Sequence, residues 1–147
     1  MTLDRTFINR NQAERERLNQ LATRITDEEL TRTVDNAWTV ATVFAHLAFW
    51  DRQRLELITY WEQNGFVPCI YPAHPFNATL ETFFVHVPPR QLVALAVAHA
   101  EALDNKIANL SDEMIEQIRA QPDAPNLERA IHRQEHLAQL AAIGIHV

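Results

Sequence analysis

The chain has 147 residues, nearly half of them hydrophobic, and fits a single domain spanning 1–147 with a sizeable core. Its formal net charge of −6 and the lack of any basic block argue against nucleic-acid binding, which needs clustered Lys and Arg. There is no secretory leader pattern and no apolar run able to span a bilayer, and the lone Cys69 cannot form an internal disulfide, so the expected compartment is the cytoplasm.

Only two glycines occur, against plentiful Ala, Leu, Glu and Gln, which points to helices with few tight turns. A first long helix is expected from about Asp4 to Thr23, with Phe7, Ile8, Leu18, Leu21 and Ile25 as its apolar stripe and a solvated, charged middle. Thr26 and Glu29 form a capping-box pattern that starts a short turn of helix, followed by a connector through Asn36. A second long helix begins with Thr39 as cap, runs to about Glu62 and stops at Gly65. Val40, Val43, Leu47, Trp50, Leu57, Ile58 and Trp61 share one arc of it, and His46 sits at the edge of that arc. A histidine so placed must find a hydrogen-bond partner or bind something.

Asn64 to Val87 is the least regular stretch, broken by Pro68, Pro72 and Pro75. Phe66, Ile70, Tyr71, Phe76, Phe83 and Phe84 make it apolar, so it is expected to pack against the core, with Asn77 capping a short helix from Ala78 to His86. Cys69, in VPCIYP, has no neighbour that lowers its pKa and is not read as a catalytic thiol. A third long helix opens at Pro88-Pro89 and runs to about Asn109, burying Leu92, Ala96, His99, Leu103, Ile107 and Leu110. Ser111 and Asp112 cap a short turn to about Arg119. After a QPDAPN linker, Asn126 caps a fourth long helix over Leu127 to Ile143, frayed beyond Gly144.

Four long amphipathic helices with one long connection between the second and third predict an all-α four-helix bundle in up-down-down-up order. His132 and His136, four apart, leave one face of the fourth helix and can grip a divalent ion together. Seven histidines give such a pair by chance about one time in three, so the pair alone reads as two solvated residues. His46 changes that reading, because the second and fourth helices can face each other. Three histidines with an open fourth position make a catalytic rather than a structural ligand set, suited to zinc, nickel or iron.

The stretch WTVATVFAHLAFWD, from Trp38 to Asp51, resembles the second-helix signature of the DinB-like superfamily, and HRQEHLAQL, from His132 to Leu140, is similar to its fourth-helix H-x-x-x-H. LSDEMI between them fits too, and in order the resemblance covers nearly the whole chain. Relatives often carry glycine before the tryptophan; here Ala37 stands there, which bears on the turn and not on the ligands. The resemblance implies the same bundle and a divalent metal held, by position, at His46, His132 and His136. It also implies a homodimer and a thiol-dependent activity, since characterised relatives include S-transferases and a maleylpyruvate isomerase using bacillithiol or mycothiol. The expected mechanism is a metal-activated thiolate attacking an electrophilic small molecule. The alternative is a metal-binding or stress-associated dimeric bundle without turnover, and beyond it a structural dimer that binds no metal.

Trp50, Phe49, Tyr60 and the aromatic connection are candidates to line a substrate pocket, against plain core packing. Arg129 and Gln139 share the histidine face and can hold a ligand's anionic group. His99 is read as a satisfied core residue or a further ligand. Asp51 is expected to pair with Arg52 or Arg54. Glu135 points away from His136, toward solvent or a subunit partner, and His74, His86 and His146 are assigned to the surface.

Overall fold

The computed structural model describes residues 2–34, 38–69 and 71–147; Asn36, Ala37 and Ile70 lie outside them. Seven helices occur among the described residues, and no strand; the one isolated bridge there pairs Thr33 with Thr39.

Helix α1, Thr6–Arg24, buries Phe7, Asn11, Glu14, Leu18 and Leu21, a three-four spacing that keeps one face inward. Its middle is not simply solvated as expected. Asn11 and Glu14 are buried because the last helix and the loop leading into it supply their partners: Asn11 Nδ2 donates to Leu127 O at 2.9 Å, and Gln134 Nε2 donates to Glu14 at 3.0 Å. The capping box forms as read, with Thr26 Oγ1 accepting from Glu29 N at 3.1 Å and Glu29 accepting from Thr26 N at 2.9 Å, and opens α2, Asp27–Leu30.

Helix α3, Val40–Asn64, is capped by Thr39, whose hydroxyl accepts from Thr42 N at 3.1 Å. It ends at Gly65, where φ is +85°, a value other residues adopt only under strain. Val40, Ala41 and the run Val43–Ala48 are all buried, so the first turns of α3 are covered on every side.

Helix α4, Ala73–Phe84, departs from expectation. It begins at Ala73, with Pro75 accommodated in the first turn, and Asn77 lies inside it. Asn77 cannot serve as the cap because its carbonyl oxygen accepts the Trp50 indole N–H at 3.0 Å. No residue of α4 is fully buried, and Phe83 is 64% exposed, so only part of the aromatic connection packs.

Helix α5, Pro89–Ala108, buries Leu92, Val93, Ala96, Ala100, Leu103, Asp104 and Ile107, with proline in its first turn. Ser111 caps α6, Asp112–Arg119, by accepting from Met114 N at 3.1 Å. Helix α7, Arg129–Ala142, starts later than expected. Asn126 Oδ1 accepts from Glu128 N in the preceding loop, and the N–H of Ala130 is met at 2.9 Å by Asn11 Oδ1. One of the free donors at this helix start is thus met from another helix.

Helix α3 packs most extensively on α5, while α1 packs on both α5 and α7. The apolar core falls into two clusters. One gathers Leu18, Phe44, Leu47, Ala96, Leu137 and Leu140; the other gathers Phe7, Ile58, Trp61, Leu103, Ile107 and Ile115. Along α1, α3, α5 and α7 a buried polar residue falls where one cluster gives way to the other: Asn11, Asp51, Asp104 and Arg133. Arg133 is fully buried and donates to both oxygens of Asp104, at 2.8 and 2.9 Å, to Asp51 at 3.1 Å and to the Asn11 carbonyl at 3.1 Å. Among the described residues no helix is long and apolar enough to cross a membrane.

Candidate metal centre

His46 projects from α3 and His132 and His136 from successive turns of α7, and the three converge. His46 Nε2 and His132 Nε2 are 3.0 Å apart, and the ring centroids of His46 and His136 are 4.6 Å apart. One ligand nitrogen from each lies within 4.8 Å of the others. Two imidazoles on one tetrahedral ion at about 2.1 Å stand about 3.4 Å apart. Ring movement on the order of an ångström, within reach of a rotamer adjustment, therefore brings all three onto one cation.

Burial keeps these rings uncharged. It pushes His46 down to about 3, aided by the neighbouring His136. His132 is held far below the usual imidazole range, first by burial and then by the Arg129 guanidinium, and burial lowers His136 as well. A neutral imidazole presents the lone pair that a metal needs. Gln139 Oε1 accepts from His136 Nδ1 at 2.8 Å, which leaves His136 Nε2 free to ligate. At His132 the partner is of opposite kind. Arg129 Nη2 lies 2.8 Å from His132 Nδ1, and arginine can only donate. Nδ1 therefore accepts, and Nε2 carries the hydrogen shared with His46. Ligation through His132 Nε2 requires that hydrogen to leave Nε2. If Nδ1 takes up a hydrogen instead, the Arg129 contact must also give way. The set thus fits a divalent ion, with one adjustment at Arg129.

Trp38 stands over the histidines, 5.0 Å from the His46 ring and stacked at 6.5 Å on His136, and its indole donates to Glu81 at 2.6 Å. The histidines line a cavity of about 560 Å3 whose walls include Trp38, Trp50, Tyr71, Arg54 and Cys69.

Of the other candidates, Trp50 and Arg129 reach this cavity. Phe49 does not: its ring packs edge-on against Trp50 at 5.1 Å, and with Tyr60 it lines a separate groove. Asp51 pairs with neither Arg52 nor Arg54. It accepts from Arg129 Nε at 2.8 Å and from Arg133, because α7 brings two guanidinium groups to a side chain that α3 has buried. Arg129 is thereby neutralised from within the fold. Gln139 is engaged by His136, His99 Nδ1 donates to the Ala48 carbonyl at 2.9 Å, and Glu135 is exposed at the cavity rim. His74, His86 and His146 are exposed, as read.

The cavity contains residues that sequence reasoning passed over. Arg54 had a usable signal: His46, Trp50 and Arg54 recur every four residues along α3 and so share a face. Cys69 and Asn77 had none, whereas Tyr71 belongs to the aromatic connection already read as a candidate pocket wall. Cys69 is buried, donates weakly to the Asp123 carbonyl at 3.6 Å, and burial pushes its thiol up, consistent with an unreactive side chain.

A family model described as the DinB superfamily matches residues 10–142. No curated protein and no solved structure matches the chain.

Proposed function

From the premise that this chain belongs to the DinB superfamily, we propose that it is a divalent-metal-dependent enzyme joining a low-molecular-weight thiol to an electrophilic small molecule. His46, His132 and His136 hold the ion, which is zinc, nickel or iron, and the thiol is of the bacillithiol or mycothiol kind. The observation that carries the proposal is the convergence of three neutral imidazoles on the wall of a cavity large enough for a small molecule. A bound divalent ion supplies Lewis acidity, which makes a thiolate available at neutral pH.

The chain's own residues do the rest. Gln139 sets the tautomer of His136, and Asp51 holds Arg129 beside His132. Trp38, Trp50 and Tyr71 offer apolar faces that exclude water and can pack on a substrate.

The same reading takes the whole chain as one cytoplasmic domain. Its four longest helices form an up-down-down-up bundle. The cross-links support this order. Going up α3 from Ala48 to Glu62, the partners on α5 go up from His99 to Lys106. From Arg10 to Arg24 on α1 the partners rise from Glu128 to His146. From Arg5 to Arg15 they fall from Leu110 to Asp104, and from His46 to Asp51 they fall from His132 to Arg129. A homodimer is part of the proposal, with exposed Phe83, Val85 and Leu95 as the apolar surface to be covered.

The test is elemental analysis of protein purified without a histidine tag, followed by conjugation assays with several thiols and a generic electrophile, with and without metal. A bound divalent ion and metal-dependent conjugation are expected. Stoichiometric metal with no conjugation by any thiol leaves the non-catalytic metal-binding bundle in its place, and no metal removes both.

A further inference from the structure

Two arginines reach the wall of the histidine cavity, and the fold treats them differently. Arg129 is paired with Asp51 at 2.8 Å. Arg54 forms no ion pair among the described residues. Its Cζ lies 5.0 Å from the centroid of the Trp50 ring, and its Nη1 donates to the amide oxygen of Gln53 on the same helix. Its Nε is buried and has no hydrogen-bond partner among the described residues. A buried donor left unmet is costly, and a guanidinium kept beside another cation without a counter-charge more so. Burial and the neighbouring Arg129 accordingly hold the Arg54 pKa below its usual range. The acids on the cavity wall, Asp123 and Glu135, are both exposed, so water screens their field. The three histidines are neutral and supply no negative charge.

We propose that Arg54 anchors a carboxylate of the ligand that enters this cavity, so that the natural substrate or thiol is an anionic, carboxylate-bearing small molecule. The geometry favours carboxylate over a tetrahedral anion. Trp50 lies against the guanidinium and Gln53 takes only Nη1, so the unmet Nε remains for a ligand, and a planar carboxylate matches an Nε-bearing edge of the fork with two parallel bonds. The aromatic walls formed by Trp38, Trp50 and Tyr71 suit the body of the same molecule. This proposal rests on the cavity being the ligand site, as above, and does not depend on a metal being held there.

The experiment uses benzoate and benzamide, which share shape and differ in charge, titrated calorimetrically into the full chain. It is run on chelator-treated and zinc-loaded protein whose metal content has been measured. Wild-type protein should prefer benzoate by about tenfold or more with or without zinc, the discrimination expected of a charged hydrogen-bonded pair. Arg54→Gln should reduce that preference to about one while leaving benzamide binding and the helical circular dichroism unchanged, and Arg54→Lys should retain part of it. Equal binding of the two probes by wild type, or binding of neither, overturns the proposal without recourse to a variant. So does a preference that survives Arg54→Gln, or one that appears only with zinc. Inorganic phosphate binding more tightly than benzoate overturns the carboxylate assignment. Absence of bound metal in the purified protein would defeat the enzymatic reading while leaving the benzoate result to stand or fall alone.

Discussion

Asp51→Asn is the most informative single change, because Asp51 joins the histidine cluster to the core through Arg129 and Arg133. Its carboxylate is 1% exposed and accepts from Arg129 Nε at 2.8 Å and Arg133 Nη2 at 3.1 Å. The amide keeps the shape and removes the charge. Taking one partner from a buried ion pair costs about 3–5 kcal/mol, because the remaining cation stays buried. Arg133 retains both oxygens of Asp104, whereas Arg129 keeps no carboxylate, so the lower end, ~3 kcal/mol, is expected. At roughly 2–4 °C per kcal/mol for a chain of this size, Tm should fall by about 6–12 °C. Urea and thermal unfolding followed by circular dichroism on chelator-treated protein measure it. Adding Arg129→Met to Asp51→Leu should recover much of the loss, since an apolar pair can replace a buried ionic one. A loss under about 1 kcal/mol for Asp51→Asn, the value of an exposed pair, would refute the argument that this network is sealed from solvent.

Three further outcomes are expected. His132→Ala should abolish metal uptake while the helices persist, and unchanged stoichiometry by elemental analysis would take His132 out of the ligand set. Gln139→Ala should weaken metal affinity by about 10–100-fold without abolishing it, as loss of an outer hydrogen-bond partner does, in a competition titration against a chromophoric chelator. The metal-free protein should lose stability as pH falls. The unfolded chain takes up protons near pH 6.5 and folded His46 only near 3, so across that window the unfolded state binds more protons and the free energy of unfolding declines. His46→Phe should flatten the slope of the urea midpoint between about pH 7 and about pH 5, and an equally steep slope in the variant would refute the assignment.

Much of this molecule was legible as a string. The capping box at Thr26, the cap at Thr39, the stop at Gly65 and the cap at Ser111 are short-range devices, completed within four residues, and they formed where read. His132 and His136 share a face for the same local reason. The start of α7 was misplaced because its cap is Asn11, more than a hundred residues away. Asn77 was misread because its side chain is committed to Trp50, and Asp51 because its partners come from α7 rather than from the next turn of α3. The buried Asn11 and Glu14 looked like a solvated face for as long as their partners were unseen.

The sequence by itself determined that the chain is helical, where its longest helices lie, and which three histidines were candidates to meet, since periodicity and capping depend on neighbours a turn away. Only the tertiary structure decided that the imidazoles converge, that Arg129 is neutralised while Arg54 is not, and that Phe49 faces another groove. Those outcomes follow from how side chains of separate helices share space and charge, and such pairings leave no periodic trace along the chain.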